Sequence, residues 1–369
     1  MEIMLMTPPF LANRLIFGKE RNSMAVTIKD VAKLANVAPS TVSRVIANNP
    51  RISEKTKLRV REAMKKLGYH PNLIARSLAS QSTKVIGLVF PSSDIFFQNP
   101  FFSTVIQGLS EGAHEKQYAL QMSTGKTEEE IFEGVVHMVQ GGRVDGIILL
   151  YSRVNDQVLN YLRDRDFPFL VVGKPYECAE EITHVDNDNC RASRDAAEYL
   201  LGLGHTKIGF IGGSEKLVVT IERLLGYKEA LRENGLPILP EYIIHEEFHR
   251  EGGQDAVKKL LSLDIPPTAF VVTDDIMALG VVNTLVEMNI KLPEQVSVIS
   301  FNNVLLADMS RPPLTSIDIN IFELGYQAAR SLIQMLENDN EPVKRIIIPH
   351  QLVERLSCER AENKLVAHK

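Results

Sequence analysis

Residues Ala25 to Ser80 read AVTIKDVAKLANVAPSTVSRVIANNPRISEKTKLRVREAMKKLGYHPNLIARSLAS. The opening half of this stretch carries two short helical patterns, Ile28 to Leu34 and Ser40 to Ile46, separated by Ala35, Asn36, Val37 and Ala38. Apolar Ile28, Val31, Ala32 and Ala35 recur at i, i+3, i+4 and i+7. Val42, Val45 and Ile46 follow part of the same rhythm, so each helix offers one face to a shared core. Thr27 stands where an N-cap belongs, Asp30 follows three residues later to reach back to it, and Pro39 precedes the second helix. A third helix is expected over Ser53 to Leu67. It would turn Leu58, Ala63, Met64 and Leu67 inward and Lys55, Lys57, Arg59, Arg61, Lys65 and Lys66 outward.

Charge separates this stretch from the rest. Met24 to Ser82 holds eleven Lys and Arg against three Asp and Glu, a balance of +8 in a chain of net charge −5. Residues 1–23 add +1, which leaves −14 on residues 83–369. A basic head on an acidic body suits a protein that holds phosphates at one end only, and a helix, a tight turn and a helix beside that basic face point to duplex DNA.

The motifs T-I-x-D-V-A-x-x-A-x-V-x-x-x-T-V-S-R-V from Thr27 and G-Y-x-P-N-x-x-A-R-S-L from Gly68 carry a family likeness. The chain resembles the bacterial lactose and galactose repressor family from Val26 to about Ser357. The resemblance implies that the second helix lies in the major groove. Ser40, Thr41, Ser43 and Arg44 would then meet base edges or phosphates, with Thr27 also on the DNA side, and an Arg there can pair bidentately with guanine. It further assigns Asn72 to Leu78, including Ala75, to a hinge helix that forms on DNA, and Leu78 to a wedge between base steps in the minor groove. A helix so short is marginal alone, which suits a switch.

At 369 residues and 44% hydrophobic, the chain predicts two or three globular domains. Cys178, Cys190 and Cys358 form no CxxC pair and leave one cysteine over, as suits a reducing cytoplasm. No apolar run reaches the roughly 20 residues that cross a bilayer, so no membrane partner is expected. Residues 1–23 read as an extension rather than part of the head: Glu2 sits in what would be a basic region, and Pro8 and Pro9 interrupt the apolar patches. Gly18-Lys19-Glu20-Arg21 can be encoded by a purine-rich run, which predicts that translation starts at Met24.

After a hinge and linker over residues 71–83, the body repeats buried strand, polar loop, amphipathic helix. Strands are expected at Val85 to Phe90, Tyr118 to Met122, Gly146 to Leu150, Phe169 to Val172, Lys207 to Ile211, Tyr242 to Ile244, Ala269 to Val272 and Val296 to Phe301, each read as buried on both faces. Helices such as Phe102 to Lys116, Asn189 to Leu203, Ile221 to Asn234, Gly253 to Leu261 and Asp275 to Met288 lie between them. The alternation argues for doubly wound α/β units that bind ligands outside the strands' carboxyl ends. The fold class expected is therefore an all-α helix-turn-helix headpiece over residues 24–70 and an α/β body over residues 84–369. The family likeness makes that body similar to a periplasmic binding protein. Its first subdomain would hold about 84–184 and 315–342, its second about 185–314 and 343–357, with three strands as a hinge.

Three motifs invite other chemistry. His245-Glu246-Glu247-Phe248-His249-Arg250-Glu251-Gly252-Gly253-Gln254-Asp255 satisfies HExxHxxGxxD, the spacing of a zinc peptidase, but that mechanism needs both histidines one turn apart on a helix, and Tyr242 to Ile244 reads as a strand. Ser123-Thr124-Gly125-Lys126-Thr127 ends like a phosphate loop, yet Leu120 stands where its leading glycine belongs. Asp186-Asn187-Asp188-Asn189 opens like a calcium loop, but Cys190 and Arg191 follow, which leaves a helix cap. No nucleophile, base and orienter set stands out, so neither catalysis nor a cofactor or metal is expected.

The resemblance carries an effector site onto Asn99, Phe101, Phe102, Lys174, Phe248, Asp274 and Asn302. Aromatic faces would stack on sugar rings, while amides and carboxylates would take the hydroxyls. The plainer alternative for Phe101 or Phe102 is a place in the core. Asn302 stands where the family usually has Asp. Lys174, Asn302 and the Asn99-Pro100-Phe101-Phe102 loop look most like the maltose-operon repressors within this family. The expected protein is thus a cytoplasmic, homodimeric repressor of a carbohydrate operon that binds operator DNA and a small sugar. A repressor of another sugar operon and a global catabolite regulator with a phosphoprotein corepressor are the alternatives, with a zinc metallohydrolase as a remote third.

Overall fold

The computed structural model describes residues 26–46, 49–69, 82–91, 97–338 and 340–361 of the chain. Two compact units divide it, residues 1–81 and residues 82–369. The expected hinge residues Asn72, Ala75 and Leu78, and the extension over 1–23, lie outside the described residues.

In the first unit, α1 (Ile28–Ala35), α2 (Pro39–Ile46) and α3 (Glu54–Leu67) enclose a core of Val31, Ala32, Ala35, Val42, Val45, Val60 and Ala63. The Asp30 carboxylate accepts from both the backbone N–H (2.9 Å) and the hydroxyl (2.7 Å) of Thr27, which fixes the start of α1. Asn36 ends that helix in the left-handed region at φ 49°, a conformation Asn tolerates better than most residues. The inward face of α3 differs from expectation. Leu58 is 61% exposed, whereas Val60 is fully buried and Lys57 is only 7% exposed. Lys57, Val60, Ala63 and Leu67 share one stripe at helical spacing. Lys57 lays its methylene stem along that stripe, and its ammonium reaches the Glu54 carboxylate at 2.7 Å. The other five basic side chains expected to face outward, Lys55, Arg59, Arg61, Lys65 and Lys66, are exposed.

The second unit is two lobes of the same design. The first sheet contains β1 (Val85–Val89), β2 (Ala119–Ser123), β3 (Gly146–Leu149), β4 (Phe169–Val172), β5 (His184–Asn187) and β11 (Arg345–Ile348) in the order β11-β5-β4-β3-β1-β2, all parallel. The second contains β6 (Ile208–Gly212), β7 (Ile243–His245), β8 (Ala269–Val272), β9 (Ser297–Phe301), β10 (Thr315–Asp318) and β12 (Gln351–Val353) in the order β12-β10-β9-β8-β6-β7, with only β12 antiparallel. The inner strands β1, β3, β4, β6, β8 and β9 are almost wholly buried, as their Val-, Ile-, Leu- and Phe-rich sequences require. The edge strands β2 and β7 are only partly covered, contrary to the expectation that every strand is buried on both faces.

Among the helices, α4 (Pro100–Glu115), α5 (Glu128–Gln140), α6 (Gln157–Arg163) and α12 (Ile321–Glu337) cover the first sheet. The second is covered by α7 (Asn189–Gly202), α8 (Val218–Glu233), α9 (Arg250–Leu261), α10 (Asp275–Glu287) and the short α11 (Leu305–Met309). The chain passes between lobes after Asn187, after Asp318 and after Ile348. These crossings correct the boundaries expected at 185, 315 and 343. His184–Asn187 and Arg345–Ile348 pair with each other in the first sheet, and Thr315–Asp318 pairs in the second. The short strands β5, β10 and β12 mix polar and apolar residues, so apolar runs did not mark them. One side chain ties the crossings together, because the Asn187 amide donates to the carbonyls of Ile319 and Ile348, both at 2.9 Å.

Candidate functional site

Both sheets send the carboxyl ends of their strands toward one cleft, the place where open α/β sheets bind their ligands. Pro91 follows β1, Leu150 to Ser152 follow β3, and Gly173 and Lys174 follow β4, while Asp186 and Asn187 close β5. From the other lobe come Phe248 after β7, Thr273 and Asp274 after β8, and Asn302 after β9. All seven effector residues expected from the sequence line this one cleft.

The first turn of α4 presents the aromatic wall. Asn99 caps that helix by accepting from the Phe101 N–H at 2.9 Å, with Pro100 at the first helical position. Phe101 meets Phe102 edge to face at 5.2 Å between ring centroids. Phe102 is both lining and core: it is 5% exposed and packs edge to face on Phe90 at 5.8 Å. Opposite them, Phe248 is half-buried and lies over Gly213. A Cβ at Gly213 would fall 2.3 Å from the ring, so only glycine admits Phe248 in this position.

The polar floor is a connected network. Asp274 caps α10 through a 2.8 Å bond from the Ile276 N–H, and its other oxygen accepts from the amides of Asn99 and Asn302, both at 2.8 Å. Asn99 belongs to the first lobe and Asn302 to the second, so this carboxylate spans the cleft. It also explains why amide suits position 302: an Asp there would set two carboxylates against each other, whereas Asn donates. Asn302 sits at φ 100°, where Asn is better tolerated than bulkier side chains.

Arg223 was not expected at the site, and it is the charge around which the carboxylates gather. It is 4% exposed, donates to the Asn189 side chain at 3.0 Å and the Thr273 carbonyl at 2.6 Å, and stacks on Phe301 at 4.4 Å. Asn189 in turn donates to Asp186 at 3.0 Å. Burial pulls the Arg223 guanidinium down to about 10. Burial pushes Asp186 up to about 7, assisted by the charge of Glu222, and raises Asp274 as well. Behind the floor, Asp275 is also raised to about 7 by burial; it accepts from Ser300, Ser316 and the Val304 N–H. Tyr151, Ser152 and Glu222 also line the cleft, as do Asp186, Asn187 and Asn189 of the calcium-loop look-alike, and none of the six was expected at this site. A signal for Arg223 existed: in α8 it falls on the stripe of Gly226, Tyr227, Ala230 and Leu231, all buried.

The zinc spacing dissolves in three dimensions. His245 ends β7 and hydrogen-bonds the Gly213 carbonyl at 2.9 Å, while His249 caps α9 by accepting from the Gly252 N–H at 2.8 Å. The two imidazoles are therefore not one turn apart on a helix. Thr127 in the phosphate-loop look-alike caps α5, and Asp188 in the calcium-loop look-alike caps α7.

In the first unit, Ser40, Ser43 and Arg44 are exposed on α2, Thr41 is half-buried and Thr27 is exposed at the start of α1. A helix-turn-helix unit and a two-lobed cleft lined from seven strand ends together define a ligand-responsive DNA-binding regulator. The match to known proteins is consistent along the chain: the profile of bacterial regulatory proteins of the lacI family covers residues 27–72, and that of the periplasmic binding protein-like domain covers residues 197–358. The HTH-type transcriptional regulator MalR of Streptococcus pneumoniae is 44% identical over 341 residues, 90% of this chain and all of the relative. A structure described as a probable maltose operon transcriptional repressor of Staphylococcus aureus superposes with TM-score 0.68 at 30% identity, over 75% of this chain and 98% of that one. The lac repressor dimer bound to operator and an anti-inducer gives TM-score 0.78 at 26% identity, over 90% and 99%. This chain belongs to the lacI family and is a DNA-binding transcriptional repressor.

Proposed function

We propose that the repressor acts as a homodimer in the cytoplasm, on a carbohydrate operon, and that maltose or a related glucoside is its effector. The observation that carries this reading is the cleft itself. Phe101, Phe102 and Phe248 offer apolar faces from both lobes, and Asp274, Asn99, Asn302 and Lys174 offer directional partners between them. The similarity to the maltose operon repressor supports the choice of sugar. The polar side chains on the floor orient one another, as suits a binding site. Among the described residues no helix is long and apolar enough to cross a membrane.

The mechanism we assign is a change of lobe angle. Effector contacts made from both lobes favour one angle, and the three crossings at Asn187, Asp318 and Ile348 carry it to the hinge segment expected at Asn72 to Leu78. On the DNA side, Thr27, Ser40, Thr41, Ser43 and Arg44 meet the major groove, and Asn72, Ala75 and Leu78 meet the minor groove. The test is operator affinity measured with and without maltose at one salt concentration, since phosphate contacts set a salt-dependent baseline. Maltose is expected to weaken operator binding; a sugar that binds tightly and leaves operator affinity untouched would remove the coupling from this account.

Arg44 offers a separate check of the headpiece. Arg44→Ala is expected to cost roughly 1–3 kcal/mol on the preferred operator and to relax selectivity at one position of each half-site. Binding measured across single-base operator variants reads this directly. A uniform loss over all variants would reassign Arg44 to a phosphate.

A further inference from the structure

We infer that Glu222 is the charge filter of the cleft: by holding the Lys174 ammonium, it admits neutral sugars and turns away phosphorylated ones. This inference rests on the sugar-cleft reading above and deepens it to a substrate class.

Two cations line the cleft among the described residues, Arg223 and Lys174, and each already has partners. Arg223 is buried, with its guanidinium donating to Asn189 and to the Thr273 carbonyl. Lys174, on the loop after β4 of the first lobe, meets Glu222 Oε1 at 2.8 Å from α8 of the second. The Glu222 side chain is only 15% exposed, against 45% for Lys174, so the carboxylate is the inner member of the pair and the ammonium the outer. Three carboxylates, Asp186, Glu222 and Asp274, face the same space.

A sugar phosphate brings a charge of about −1.5 to −2 at neutral pH. Inside this cleft it meets the Glu222 carboxylate, and Lys174, the outer cation that would receive it, is already paired. At an effective dielectric near 20 and a separation of about 5 Å, one uncompensated pair of like charges weakens binding by about 100-fold. A half-exposed ion pair contributes little to stability, so the consequence of this one is local and electrostatic. Neutral hydroxyls escape the penalty, since carboxylates accept hydrogen bonds from them.

The experiment compares affinities by calorimetry for the full-length parent, Glu222→Gln, Lys174→Gln and the double variant. One arm uses maltose against maltose 6′-phosphate, and the readout is the ratio of the two. The second arm uses inorganic phosphate against chloride at equal ionic strength. The parent is expected to prefer maltose by at least about 100-fold. Glu222→Gln should narrow that ratio by about tenfold or more and should gain affinity for inorganic phosphate. Both gains should vanish in the double variant, because they come from the released Lys174. A ratio unmoved by Glu222→Gln, a gain that survives loss of Lys174, or a parent that takes both sugars equally well overturns the filter. Should the parent bind no maltose, the choice of sugar falls, and the inorganic phosphate arm still decides for or against Glu222.

Discussion

With Arg223 replaced by leucine, the body loses about 3–5 kcal/mol of stability at pH 8, and loses less at pH 5.5. The magnitude follows from removing one partner of a buried charge cluster, which leaves Asp274, Asp186 and Asp275 without their counter-charge, and leaves the Thr273 carbonyl and the Asn189 amide oxygen without donors. The pH dependence follows from Asp186 and Asp275. In the folded chain burial keeps each protonated up to about 7, whereas an unfolded Asp releases its proton near 3.9. Between those values the folded chain binds more protons than the unfolded one, so these two groups make stability fall as pH rises through that window. Without Arg223 the ionised forms become costlier still, so the gap between variant and parent widens toward alkaline pH. Scanning calorimetry of the full chain across pH 5.5 to 8 measures both. A cost under about 1 kcal/mol, or one that grows toward acid, would show that Arg223 does not organise these carboxylates.

Asp274→Ala is expected to weaken sugar binding by at least about 100-fold while operator affinity without sugar stays within about threefold. Charged hydrogen bonds are worth about 1.5–3 kcal/mol each when a partner is deleted, and Asp274 anchors Asn99 and Asn302 as well as facing the cleft. The substitution also removes the cap of α10, which costs roughly 1 kcal/mol of stability. Asp274→Asn keeps the shape and separates that effect from the loss of charge. Coupling between sugar and operator is reciprocal, typically about 5- to 150-fold in either direction. The parent should therefore bind maltose less tightly on operator DNA by the same factor that maltose weakens operator binding. In Asp274→Ala, and in Phe248→Ala, both factors should collapse toward one at sugar concentrations that saturate the parent. A variant that still responds at those concentrations would move the effector site elsewhere.

The family, the helix-turn-helix and the alternating body were legible in the sequence because they are local. Capping at Thr27 and Asp30, the apolar stripe of α1 and the Val- and Ile-rich central strands are each written within a few consecutive residues. Asn99, Phe101, Phe102, Lys174, Phe248, Asp274 and Asn302 were legible through family motifs, and the fold gathers all seven at one cleft. Other features depended on contacts between distant segments. The stripe of α3 was misread because Lys57 spends its methylenes on the core and Leu58 is left exposed. Strands β5, β10 and β12 escaped because their stability comes from pairing partners far along the chain and not from apolar content. HExxH looked like a zinc motif because spacing alone cannot say whether two histidines share a helix; here the chain changes from strand to loop to cap between them. By itself the sequence determined which residues would form the head, the two-lobed body and seven positions of the cleft wall. Only the tertiary structure decided that Arg223 is buried among the carboxylates of the cleft and that Asp274 bridges two lobes. The physical reason is that burial and charge pairing belong to neighbours in space, up to 175 residues apart along the chain for Asn99 and Asp274.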